Sequence, residues 1–321
     1  MSTPRVLVLR ALGLGDLLTA VPALRALRRA RPDRWLVLAA PEALRPAARL
    51  TRAVDEFVPT TAAGREVPGH IPWSGPPPVL AVDLHGSGPE SVAPLRALRP
   101  AALFAYAEPS GPAWDEGEHE RVRWCRLLEW YGIPADPGDL RIKAADVYSP
   151  APGAVVLHPG ADAAARRWPA DRFAAVGRAL RDEGRDVVVT GGPAESALAR
   201  RVAADAGLPE EAVLTDVPFD DLTALLAEAR AVVVGDTGIA HLATALGTPS
   251  VVLFGPVSPQ LWGPPDLPRH RALWHPDDPP TPRPGDPHAT TPDARLLRIT
   301  PADVLTALAS LPTPFPLTRL R

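Results

Sequence analysis

Ala231-Val232-Val233-Val234-Gly235-Asp236-Thr237-Gly238-Ile239-Ala240-His241 is the stretch on which the fold turns. Its small and β-branched apolar residues predict a short strand covered on both faces, as in a parallel sheet. Gly235 closes the strand, Asp236 and Thr237 are natural helix caps, and residues 237–246 carry a helical pattern. Open α/β sheets built from such units bind ligands beyond the carboxyl ends of their strands. Gly238 would let a ligand reach the unpaired first-turn amides, and the positive helix end suits a diphosphate. His241 lies one turn further on. It reads equally well as a packed core histidine and as a ligand contact.

The same unit recurs outward in both directions. Strands are predicted at Arg5–Arg10, Trp35–Ala39, Val79–Leu84, Leu103–Tyr106, Ala154–His158, Asp186–Thr190, Ala231–Gly235 and Ser250–Phe254. Helices are predicted near 16–31, 91–98, 117–131, 171–183, 194–206, 220–229, 237–246 and 301–311, with Pro22 bending the first. A Pro/Gly-rich segment over 132–153 marks a linker. The expected architecture is therefore two Rossmann-like α/β domains, 1–150 and 151–321, facing across a cleft. Residues 262–292 are dense in Pro, Asp and His and are expected to lack regular structure.

Composition excludes several classes. Proline accounts for 42 of 321 residues, well above the usual ~5%. The 34 basic residues are 33 arginines and Lys143 alone, and the chain has no asparagine. This pattern is that of a compositional bias, so no single arginine is informative by itself. Net charge is −3, with neither half basic enough for nucleic acid or an anionic membrane. One cysteine, Cys125, excludes an intrachain disulfide and a cysteine-rich metal site. With no run of 18 apolar residues and no signal-peptide pattern, a cytoplasmic location is expected.

Further candidate sites follow other strands. Gly13-Leu14-Gly15-Asp16 closes the first, but Leu18 stands where a dinucleotide fingerprint needs glycine, which argues against a nicotinamide site. Asp16 is read as a helix cap or as a catalytic carboxylate, roles that are compatible only in part. His158-Pro159-Gly160 is followed by Arg166-Arg167-Trp168-Pro169, read as an anion clamp or as a solvated basic pair. Gly191-Gly192-Pro193 precedes Glu195 at a helix start. The acidic pairs and the eight histidines show no metal-ligand spacing.

Taken in order, these motifs resemble glycosyltransferase family 9, the ADP-heptose heptosyltransferase type. The resemblance runs through Gly15-Asp16, Asp83-Leu84-His85-Gly86-Ser87, His158-Pro159-Gly160, Arg167-Trp168-Pro169 and Gly191-Gly192. It continues through Asp236-Thr237-Gly238 with His241, Phe254-Gly255-Pro256 and Leu297-Arg298-Ile299-Thr300-Pro301. It implies a GT-B fold, with an N-terminal acceptor domain and a C-terminal nucleotide-sugar domain. It implies inverting transfer without a metal or other cofactor, from a nucleotide-sugar donor, ADP-linked by family, to a glycan or glycolipid hydroxyl. Membrane contact would be peripheral at most, through the acceptor. By resemblance Asp16 is the general base, and Asp236, Thr237, Gly238 and His241 line the diphosphate and sugar. Glu195 meets the ribose and the backbone near Val217 the base, with Gly15, His158, Gly160 and Gly191 completing the donor set. Arg166 stands where the family has a lysine at the diphosphate. The alternatives are a nucleotide-sugar 2-epimerase of GT-B type and a non-catalytic nucleotide-sugar-binding protein.

Overall fold

A computed structural model describes residues 3–61 and 66–312. The chain divides into two compact units, Met1–Lys143 and Ala144–Arg321, at a point within the Pro/Gly-rich segment 132–153.

The first unit holds a five-stranded sheet. Its strands are β1 (Arg5–Leu9), β2 (Trp35–Pro41), β3 (Glu56–Thr60), β4 (Leu80–Asp83) and β5 (Leu103–Phe104). All pairs are parallel, in the order β3-β2-β1-β4-β5. The second unit holds six parallel strands: β6 (Val155–His158), β7 (Val187–Gly191), β8 (Val213–Thr215), β9 (Ala231–Gly235), β10 (Ser250–Leu253) and β11 (His270–Leu273). Their order is β11-β10-β9-β6-β7-β8. Both orders are doubly wound. Each has one point where the winding reverses, between β1 and β4 in the first sheet and between β6 and β9 in the second. That point is where such sheets bind ligands.

The central strands are apolar on both faces because helices cover both. Val6, Leu7, Val8 and Leu9 are each at most 1% exposed, and Val232, Val233 and Val234 are fully buried. Trp168 anchors the second core. Its indole stacks edge-on to Phe173 at 5.0 Å and donates to the Ile299 carbonyl at 3.0 Å.

The structure corrects the expectation of one bent helix over 16–31. Two helices occur, Leu14–Thr19 and Val21–Ala30, and Pro22 sits in the first turn of the second. A proline costs no hydrogen bond there, since the first-turn N–H groups have no intrahelical acceptor, so it starts a helix rather than bending one. Three strands beyond those expected are β3, β8 and β11, and all three lie at sheet edges. β11 corrects the expectation that 262–292 has no regular structure. An edge strand is half solvated and tolerates residues such as Pro59 in β3, so it lacks the continuous apolar run of a central strand.

Candidate functional site

In each unit the motifs collect at the carboxyl ends of the strands, at the reversal point and, in the second unit, also after β7 and β8. In the first unit β1 runs into Arg10 and then the turn Ala11–Gly13. Asp16 is the third residue of helix Leu14–Thr19, and its Oδ2 accepts from the Gly13 amide at 3.0 Å. Gly13 is thus the cap residue, and Asp16 reaches back to its amide from the third helical position, which engages one carboxyl oxygen. Oδ1 faces the guanidinium of Arg10 at 3.6 Å. Gly15 lies beside Asp16 in the same helical turn.

Arg10 was not distinguishable by sequence, yet it organises this cluster of the first unit. It is fully buried. Nε donates to the Asp16 carbonyl at 2.9 Å, Nη1 to the Leu84 carbonyl, and Nη2 to Thr19 Oγ1 at 3.4 Å and Glu120 Oε1 at 2.8 Å. Its guanidinium also lies 4.7 Å from the centre of the Trp124 ring. Glu120, equally buried, accepts from Arg123 Nη1 at 2.5 Å and from the Trp124 indole at 2.9 Å. Burial pushes the Glu120 carboxyl up. The Arg10 charge and hydrogen bond, with Arg123 and Trp124, outweigh that and hold it below the usual carboxylate range.

The β4 motif faces the same turn. Asp83 is fully buried, accepts from the His85 amide at 2.8 Å and from Ser91 Oγ at 2.5 Å, and is pushed up to about 6 by desolvation. His85 Nδ1 accepts from the Ala11 amide at 3.2 Å. Burial and the nearby Arg10 charge lower the imidazole to about 4, against a smaller opposing effect of Asp16.

In the second unit two clusters form. His158, at the end of β6, shares a hydrogen bond with Thr190 Oγ1 at 3.0 Å, and its Nε2 lies 3.9 Å from Glu195 Oε2. Burial lowers the imidazole pKa and Glu195 opposes it. Glu195 Oε2 accepts from the Gly192 amide at 2.9 Å. A Cβ on Gly160 would lie 2.1 Å from the Glu195 carboxyl carbon, and one on Gly191 would lie 3.1 Å from Glu195 Cβ. The glycines of both motifs thus make room for one carboxylate. Val217 follows β8 in the turn that Asp216 enters with φ 57° and a bond from its amide to the Gly191 carbonyl at 3.2 Å. These residues occupy one rim.

The other cluster is the turn after β9. Thr237 caps helix Gly238–Leu246 with extended backbone, but its side chain makes no capping bond, and its buried Oγ1 has no partner among the described residues. Arg166 comes from the short turn Ala164–Arg166. Its Nη1 meets the Asp236 carbonyl at 3.4 Å and Asp236 Oδ2 at 3.6 Å, while its Nε is buried and unpaired. Gly235 is required by contact, because a Cβ there would lie 2.9 Å from the Arg166 carbonyl oxygen. His241 packs edge-on to Trp262 with ring centres 5.8 Å apart. Arg167 points away, onto the carbonyl of Ala161 at 2.8 Å, and is exposed. The arginine pair therefore splits into one half-buried residue at the helix end and one solvated residue.

The sequence profile of glycosyltransferase family 9 (heptosyltransferase) matches residues 136–283. The lipopolysaccharide heptosyltransferase 1 of Pseudomonas aeruginosa is 35% identical over 173 residues, 52% of this chain and 48% of that protein. The lipopolysaccharide heptosyltransferase 2 of Escherichia coli K12 is 32% identical over 111 residues, 33% of this chain and 32% of that one. The chain thus spans about half the length of these curated relatives, or less. The family 9 glycosyltransferase of Veillonella parvula superimposes with a TM-score of 0.75 at 18% identity, over 97% of each chain. E. coli ADP-heptose lipopolysaccharide heptosyltransferase II does so with 0.73 at 20%, over 95% of this chain and 98% of that one. E. coli heptosyltransferase WaaC with ADP-2-deoxy-2-fluoro heptose gives 0.66 at 18%, over 95% and 99%. By profile and residue identity the chain is similar to glycosyltransferase family 9 (heptosyltransferase) proteins, and it shares their α/β fold of GT-B type.

Proposed function

We propose that the protein transfers heptose or a similar sugar from an ADP-linked donor to a hydroxyl of a glycan or glycolipid acceptor of the lipopolysaccharide type. The observation that carries this reading is the pair of unsatisfied buried groups, Thr237 Oγ1 and Arg166 Nε, at the N-terminus of helix Gly238–Leu246. Buried polar groups are normally paired, and a cation beside open helix amides suits a diphosphate. In this reading the second unit is the donor domain. His158, Gly160, Gly191, Glu195 and Val217 hold the nucleoside, and Asp236, Thr237, Gly238 and His241 hold the diphosphate and sugar. The first unit is the acceptor domain.

The reaction is read as a single inverting displacement without a metal. The acceptor oxygen bonds to the anomeric carbon as the bond from that carbon to the diphosphate breaks, through an oxocarbenium-like state. The acceptor proton passes to Asp16. The bonding pair leaves with the diphosphate, whose growing charge falls to Arg166 and the helix amides. Gly15, next to Asp16 in the same helical turn, belongs to the donor set in this reading. Among the described residues no helix is long and apolar enough to cross a membrane. A cytoplasmic enzyme meeting its acceptor at a membrane surface fits this reading.

The test is transfer from ADP-, GDP- and UDP-sugars to a panel of lipopolysaccharide-core acceptors by wild type and Asp16→Asn. ADP preference, with transfer abolished and ADP binding retained in the variant, is expected. Wild-type turnover by Asp16→Asn refutes the base, and conversion of donor without acceptor identifies an epimerase instead.

A further inference from the structure

The motif Asp83-Leu84-His85-Gly86-Ser87 has no part in the donor clusters, and its histidine is held in one defined state. The Ala11 amide donates to His85 Nδ1 at 3.2 Å. An amide N–H can only donate, so Nδ1 carries the lone pair and the ring proton sits on Nε2. Two residues along the same turn, the Gly13 amide donates to Asp16 Oδ2 at 3.0 Å. Amide nitrogens two residues apart are separated by at most ~7 Å. One turn therefore fixes an imidazole and a carboxylate side by side, the first through Ala11 and the second through Gly13.

The surroundings keep the imidazole uncharged. Its environment is half-buried, and the Arg10 guanidinium disfavours a second positive charge, so the ring is lowered to about 4 despite Asp16. Arg10 is fully buried and turned into the protein, each of its nitrogens donating to Asp16, Leu84, Thr19 or Glu120. Among the described residues His85 Nε2–H has no acceptor. The ring is fastened at one nitrogen and offers the other.

We propose that His85 binds the acceptor substrate, its Nε2–H donating to the hydroxyl whose proton Asp16 takes. This rests on the transfer reading above and adds to it. A hydroxyl oxygen gives one proton and has two lone pairs. Asp16 receives the proton, one lone pair forms the new bond to the anomeric carbon, and His85 holds the other. His85 keeps its own proton throughout, so it orients the nucleophile and is not an acid or base in the step.

The experiment compares His85→Ala and His85→Gln with wild type in the transfer assay, with ADP affinity by calorimetry and ring-nitrogen NMR of the wild-type histidines. Loss of one neutral hydrogen bond predicts a fall of about 3–10-fold in acceptor kcat/KM for His85→Ala. ADP affinity and donor KM should stay at the wild-type level. Glutamine can accept from Ala11 and donate onward, so His85→Gln should recover most of the loss. Unchanged acceptor kcat/KM in His85→Ala, an equal loss of ADP affinity, or a His85 proton on Nδ1 overturns the proposal. Absence of transfer by wild type overturns the transfer reading itself, and the acceptor role with it.

Discussion

Replacing Glu120 tests whether the buried charge cluster holds the strand ends of the first unit together. Glu120 is 5% exposed and receives Arg10 at 2.8 Å, Arg123 at 2.5 Å and the Trp124 indole at 2.9 Å. In Glu120→Ala, Arg10 keeps its buried charge with only Asp16, at 3.6 Å, as a carboxylate partner. Removing one member of a buried ion pair costs about 3–5 kcal/mol, most of it the uncompensated charge left behind. At ~1.4 kcal/mol per tenfold, native-state hydrogen exchange of helix Glu120–Trp130 should quicken by roughly a hundredfold to a few thousandfold. Helix Gly238–Leu246 in the second unit is the reference. Glu120→Gln keeps the shape and an acceptor for Trp124, so it should lose about 1.5–3 kcal/mol. The pH dependence has a definite sign. Because the folded Glu120 carboxyl lies below its ordinary value, its stabilisation is complete above about 4.3 and is lost as pH falls through the folded value. Both variants should lack that acid-side loss. Exchange in Glu120→Ala within threefold of wild type would refute the reasoning, since it would mean the cluster is solvated well enough to behave as a surface pair.

Two further outcomes are expected. Arg166→Ala should weaken ADP binding by about 10–100-fold, the range for charge-assisted hydrogen bonds, and should affect AMP much less. Equal ADP affinity by calorimetry would return Arg166 to a solvated role. Asp83, raised from 3.8 to about 6 by burial, should make the first unit lose about 3 kcal/mol of stability as pH rises from about 4 to about 6. Asp83→Asn should flatten that dependence in urea titrations, and a slope equal to wild type would show that another group titrates there.

The central strands and most helices were legible because burial on both faces forces a continuous apolar run. The edge strands β3, β8 and β11 were not, since solvent on one side relaxes that demand. The site divided in the same way. Gly160, Gly191 and Gly235 stood out in the sequence, but only the structure shows why each is glycine: Glu195 fills the space at the first two and the Arg166 carbonyl at the third. Asp16 and Glu195 each lie three residues after a glycine whose amide they accept, Gly13 and Gly192, so the same local pattern serves both units. Arg10 and Glu120 were illegible as partners. Their contact spans 110 residues of sequence, and no local spacing encodes a pairing between a strand end and a later helix.

The arginine bias obscures function in the sequence, yet the structure separates the arginines by what their donors do. Arg10 is fully buried and uses every nitrogen, on two carbonyls, a hydroxyl and a carboxylate. A lysine has three donors on one atom and could not fill that fork. Arg200 and Arg201 are more than half exposed and pair with Glu210 and Asp205 at the surface. An unpaired Nε alone does not mark a site, because Arg269, Arg28 and Arg123 also have one among the described residues. Arg28 and Arg123 are held otherwise, Arg28 by Asp55 at 2.6 Å and Arg123 by Glu120 and the face of Trp114. Arg166 differs from both. Its contacts are long, both go to Asp236, and a second unpaired buried group, Thr237 Oγ1, lies in the next residue along the same turn. In the proposed donor reading, a cation held this loosely beside open helix amides would exchange Asp236 for the stronger anion that a diphosphate supplies.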